Sequence, residues 1–204
     1  MANGEAARLP AAAVLIVGVG GQGTLLASKL IGHVATERGC DVKVSEVHGM
    51  SQRGGSVVTY VKYGGEVFSP LIEPGEADVV VAFELLEAAR WIPYLKPGGQ
   101  LISSSQRIDP MPVITGAARY PGKLEESICE KRPGAIIVDA LAIATECGSA
   151  RSANIVLLGI AARFLEFAEG DWAASIRAIT PQRALGANLE AFRRGYGIAG
   201  ALRL

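Results

Sequence analysis

The segment "LIVGVGGQGTLLASKL", Leu15–Leu30, narrows the choice of fold more than any other part of this chain. Ala13–Val17 is short, apolar and closed by glycine, which reads as a buried strand. Thr24–Arg38 carries Leu26, Leu30 and Val34 at helical spacing, and Gly39 stops it. Between them Gly18, Gly20 and Gly23 keep the GxGxxG spacing. A tight turn from strand to helix calls for glycine because it needs positive φ and close backbone approach. The helix start presents unpaired N–H groups and a positive dipole end, a combination that favours an anion. Phosphate binding by Gly18, Gly20, Gly21, Gly23 and Thr24 is the physical expectation.

Further along, "DVKVSEV" (Asp41–Val47) alternates like a second strand. "SVVTYVKY", followed by Gly64-Gly65 and "EVF" (Glu66–Phe68), reads as a β-hairpin. "ADVVVAF" (Ala77–Phe83) is a buried strand leading into the helical "ELLEAARWIPYL". Lys96-Pro97-Gly98-Gly99 reads as a turn, with "QLISS" and "AIIVDA" as further strands and Asp139 as a helix cap. From Ala153 the periodicity is helical, and Thr180-Pro181 opens a helix over Pro181–Arg194. This alternation predicts an α/β fold with a Rossmann-like, mainly parallel sheet and helices on both faces. The hairpin is an insertion, and the last helices pack on the sheet or on a partner. No linker or repeat divides the 204 residues, so one domain is expected, with residues 1–10 flexible.

Two further features bear on what the glycine turn holds. Glu46 closes the second strand, near where a dinucleotide-binding fold keeps its ribose-binding acid, so NAD or FAD is one reading. The run "HGMSQRGG" (His48–Gly55) joins two apolar strands and therefore lies at a sheet end. An ordinary connector does not need Met50, Ser51, Gln52 and Arg53 together. Arg53 is suited to clamp a carboxylate or phosphate with two N–H groups, while Gly54 and Gly55 let backbone come close. The structural alternatives are an arginine tying down its own loop and a turn that merely packs helix on strand. His48 reads either as a proton carrier or as a hydrogen-bonded loop residue.

Formal net charge is zero, so no broad field attracts nucleic acid or an anionic membrane. Cys40, Cys129 and Cys147 show no CxxC spacing and suggest neither a zinc site, a cluster nor a disulfide framework. Ala11–Val19 imitates a signal peptide's apolar run but flows straight into the glycine turn, and no run reaches membrane-span length. A reduced, cytoplasmic setting is the expectation.

"GVGGQG" followed by "EVHGMSQRGG", with "NLEAFRRGY" (Asn188–Tyr196) matching an N-x-x-A-F-x-x-G ending, resembles a known family. It is similar to the gamma-type subunits and domains of 2-oxoacid:ferredoxin oxidoreductases, and "HGMSQ" to their indolepyruvate-type beta subunits. The likeness runs from Val14 to Tyr196. It implies oxidative decarboxylation of an aryl 2-oxoacid, such as indolepyruvate, to its acyl-CoA, with ferredoxin taking the electrons. Thiamine diphosphate and [4Fe-4S] clusters would belong to a large alpha subunit, making a hetero-oligomer, with a homodimer open for the isolated chain. This chain would bind coenzyme A through its pyrophosphate at Gly18–Gly23, with Gln22 adding a side-chain hydrogen bond. The His48–Gly55 loop would face the companion subunit. An independent NAD- or FAD-dependent enzyme and a non-catalytic scaffold are the competing readings.

Overall fold

The computed structural model describes residues 9–49 and 54–201. Met50, Ser51, Gln52 and Arg53 therefore lie outside the described residues, as do residues 1–8 of the stretch expected to be flexible. Leu9 packs partly buried against the core, and the Pro10 carbonyl accepts a weak bond from Cys40 Sγ at 3.4 Å.

β1 (Ala12–Val19) passes through the glycine turn into α1 (Thr24–Glu37). β2 (Asp41–His48), β3 (Ser56–Gly64) and β4 (Ala77–Ala82) follow, then α2 (Leu85–Trp91) and β5 (Leu95–Ser104). Next come α3 (Met111–Ile114), α4 (Leu124–Lys131), β6 (Ile136–Val138) and α5 (Ala140–Glu146). α6 (Ala153–Ala162), α7 (Glu169–Ile179) and α8 (Gln182–Ala201) complete the chain.

The six strands form one sheet in the order β2-β3-β1-β4-β5-β6. β1, β4, β5 and β6 are parallel, while β3 is antiparallel to both β1 and β2. All strands except β3 thus point the same way, and their carboxyl ends share one rim. The central strands are apolar without interruption because both faces are covered. Val14 and Ile16 of β1 join Val79, Val81 and Ile102 beneath α1, α6 and α8. Ala13, Leu15 and Val17 face the opposite way, packing with Val80, Leu101 and Ile128 under α2 and α4. This two-residue alternation is the pleat of a strand buried on both sides.

The hairpin differs from the sequence expectation. Its arms are β2 and β3, joined through residues 49–55, whereas Glu66–Phe68 form no strand and Phe68 is 87% exposed. β3 is zipped over eight residue pairs on each side, far more ladder than three residues ahead of Pro70 can supply. The Lys96–Gly99 turn is absorbed into β5 as an irregularity, with Gly98 at φ 77° and a register shift opposite Ala77–Val79. α8 begins at Gln182 and runs on to Ala201, past the expected Arg194.

Candidate functional site

The shared rim brings the two glycine-rich segments together. Gly20 N–H donates to the Gly55 carbonyl at 2.9 Å, so the turn after β1 and the loop before β3 are direct neighbours. Within the turn the glycines have separate reasons. Gly21 (φ 104°) and Gly23 (φ 89°) occupy the left-handed region that side chains avoid. Gly18 instead lies close to its neighbours: an added Cβ would sit 2.8 Å from Gln22 Oε1 and 3.1 Å from Phe83 Cβ. A Cβ on Gly23 would also approach Asn154 Nδ2 to 2.5 Å.

The turn's donors are only partly used. Gly20 N–H is taken by Gly55, Gln22 N–H by Val19, and Leu26 and Ala27 N–H turn back to Gly23. The N–H groups of Gly21, Gly23, Thr24 and Leu25 have no partner among the described residues, and no side chain caps α1. They surround the positive end of a 14-residue helix whose first turn carries no acidic residue.

Gln22 departs from the role read for it. Its Oε1 accepts from Val19 N–H at 2.7 Å, and its Nε2 donates to the Phe83 carbonyl (2.8 Å) and Gln106 Oε1 (3.0 Å). Both of its amide hydrogens are thereby committed to the protein, tying the turn to the ends of β4 and β5.

Two clefts flank the turn. One, of about 360 Å³, is lined by Gly20, Gly21, Gly23, Thr24, Glu46 and His48, among others. Glu46 accepts from Thr59 Oγ1 at 3.1 Å and lies 3.5 Å from Thr24 Oγ1, both through Oε2. β3 stands between β1 and β2, yet Glu46 still reaches the start of α1. His48 is exposed, with Nδ1 3.3 Å from the Gly49 carbonyl, and Gly54 has φ 76°. The second cleft, of about 450 Å³, opens where β1, β4 and β5 end, between Gln22, Phe83, Ser104, Gln106, Arg151 and Asn154. Helices leave β1 and β4 towards opposite faces, so this is the crevice in which open α/β sheets bind ligands.

Three contributors escaped the sequence reading. Glu84, 1% exposed, caps α2 through Glu87 N–H and also accepts from Ile108 N–H and Tyr120 Oη (2.6 Å). Burial, then the bond to Glu84, pushes the Tyr120 hydroxyl well above the usual tyrosine range. Glu87, 3% exposed, accepts from Ser56 Oγ at 2.7 Å and pairs with Arg90 at 2.6 Å. Since Ser56 begins β3, Glu87 pins the exit of the hairpin loop. Two acids three residues apart after an apolar strand are a capping signal legible in the sequence. Asn154 is the third, its signal being one amide in an otherwise apolar run. Asp139 does cap α5, accepting from Ala142 N–H at 2.9 Å. His33 Nδ1 meets Ser175 Oγ at 3.0 Å, and that serine is buried.

The model of the pyruvate ferredoxin/flavodoxin oxidoreductase family matches residues 13–198. Indolepyruvate oxidoreductase subunit IorB of Thermococcus kodakarensis is 38% identical over 191 residues, 91% of this chain and 95% of that protein. The subunit of the same name from Methanothermobacter thermautotrophicus is 39% identical over 191 residues, 91% of this chain and 96% of that protein. Among solved structures, the keto/oxoacid ferredoxin oxidoreductase gamma subunit of Geobacter sulfurreducens superposes with a TM-score of 0.67 at 20% identity. That match covers 93% of this chain and 99% of the other. The 2-oxoglutarate:ferredoxin oxidoreductase of Magnetococcus marinus, with 2-oxoglutarate, coenzyme A and succinyl-CoA bound, gives 0.69 at 20% identity, covering 94% of this chain and 31% of that one. Both superpositions are likenesses of fold.

Proposed function

Because this chain belongs to the pyruvate ferredoxin/flavodoxin oxidoreductase family and is a subunit of a 2-oxoacid:ferredoxin oxidoreductase, we propose that its own share is to hold coenzyme A. The observation that carries this is the row of four N–H groups, on Gly21, Gly23, Thr24 and Leu25, that have no partner among the described residues at the start of α1. Coenzyme A brings a pyrophosphate that such a row and the helix dipole receive. Glu46 repels phosphate but accepts hydroxyl groups, which orients the carrier. The pyrophosphate lies over the turn, and ribose or pantetheine hydroxyls lie over Glu46. His48, Gly54 and Gly55 border the same cleft, with Arg53 as the proposed anchor on the connecting loop. Gln22 shapes the turn from within.

The reaction joins the acyl group of an aryl 2-oxoacid such as indolepyruvate to coenzyme A, releases carbon dioxide and passes two electrons to ferredoxin. Thiamine diphosphate supplies the decarboxylation chemistry and [4Fe-4S] clusters the electron path, and we assign both to a large partner subunit. Among the described residues no group of three His, Cys, Asp or Glu side chains is placed to hold a metal. Nor is any helix long and apolar enough to cross a membrane.

Isothermal calorimetry on the full chain with coenzyme A, dephospho-coenzyme A and NADH tests the reading. Saturable binding of coenzyme A that weakens in Gly21→Val is expected. Binding of NADH alone would favour a dinucleotide enzyme, for which Glu46 is equally apt. Affinity purification from the native host should also recover a large subunit containing iron–sulfur clusters; its absence favours the scaffold reading.

A further inference from the structure

We infer that Asn154 positions the glycine turn for its ligand; the ligand's identity rests on the proposed function, the geometry does not. Residues Asn154–Ala162 of α6 are all buried, and Asn154 is the one polar side chain of that helix. It is 4% exposed; Nδ2 donates to the Gly23 carbonyl at 3.1 Å, while Oδ1 is buried with no partner among the described residues. An unpaired buried acceptor costs free energy that a leucine would not. The bond to Gly23 is what the amide provides in return.

That bond acts on the donor row. In a planar trans peptide the carbonyl and the following N–H point opposite ways. Holding the Gly23 carbonyl inward, where Leu26 and Ala27 N–H also meet it at 3.2 and 3.4 Å, aims Thr24 N–H outward to the rim. Three donors on one carbonyl also polarise that peptide and strengthen its N–H as a donor. The support extends to the chain's far end. Ser152 Oγ donates to Asn188 Oδ1 at 2.6 Å, and Asn188 Nδ2 donates to Thr180 Oγ1 at 3.4 Å, both buried. Gly195 of α8 lies against the Val156 carbonyl of α6, where a Cβ would collide. The Asn188–Tyr196 signature thus holds the first turn of α6, and Asn154 with it, beneath the glycine turn.

Asn154→Leu separates positioning from packing, since leucine suits an apolar helix and removes the unpaired Oδ1. The full chain carrying it should melt at or above the wild-type temperature, yet bind coenzyme A about tenfold more weakly, equivalent to about 1.4 kcal/mol. Independently of ligand, the NMR order parameters of the Gly23 and Thr24 amides should fall from the rigid range, about 0.85, towards 0.6. Wild-type affinity in Asn154→Leu alongside loss in Gly21→Val would overturn the inference and leave the proposed function standing. If the wild-type chain binds no coenzyme A, the proposed function fails and the order parameters decide: unchanged values overturn the inference, lowered values uphold it.

Discussion

Val19 N–H and the Phe83 carbonyl are joined through the Gln22 amide, which bridges the last residue of β1 to the residue after β4. Gln22→Leu keeps the volume but strands both backbone groups, so urea denaturation should show a loss of roughly 2 kcal/mol. A smaller effect would mean that water replaces the amide. Tyr120 offers a pH test. Its hydroxyl holds its proton more tightly folded than unfolded, so the stability it contributes is complete below the unfolded value, about 10, and is lost as pH rises towards the higher folded value. Stability should therefore decline above about pH 10, and Tyr120→Phe should lessen that decline. An identical alkaline profile in the variant would show that the Glu84–Tyr120 bond contributes nothing.

Helices α6 and α8 touch through backbone. A Cβ at Gly159 would strike the Phe192 carbonyl, as one at Gly195 would strike that of Val156. Single methyl groups at this crossing cannot be absorbed by rotamer changes, because the obstacle is main chain. Gly195→Ala should cost about 1–3 kcal/mol in chemical denaturation, with a further loss of coenzyme A affinity as α6 shifts. Across the sheet, α2 anchors the start of β3 through Glu87 and Ser56. Glu87→Ala should cost about 1 kcal/mol, because the exposed Ser56 and Arg90 regain water as a partner, and should raise the KM for coenzyme A more than it lowers kcat. Equal changes in both would place Glu87 outside the positioning of the rim.

For the molecule as a whole, ligand binding and assembly should be separable. Among the described residues no atom lies within 4 Å of a Cβ added at Gly21, so Gly21→Val strains backbone at the rim without disturbing the core. This variant should co-purify with the large subunit at wild-type stoichiometry while acyl-CoA formation is lost. Failure to co-purify would make the turn part of the subunit interface. The layered sheet was legible because runs such as Ala77–Phe83 are apolar at consecutive positions, the mark of burial on two faces. The common rim followed from strand direction. The neighbours of β3 did not, because periodicity identifies a strand without naming its partners. Asn154 and Gly23 are 131 positions apart, and no local pattern couples them. Of the eight residues His48–Gly55, His48, Gly49, Gly54 and Gly55 are described, and Met50–Arg53 lie outside.

The lone strand that runs against the other five has a consequence for how such proteins diversify. Because β3 is laced to a neighbour on either side, the tip joining it to β2 is a replaceable cartridge: its length and chemistry can change while every core residue keeps its place. The β2–β3 tip can thus vary without disturbing the sheet that carries it.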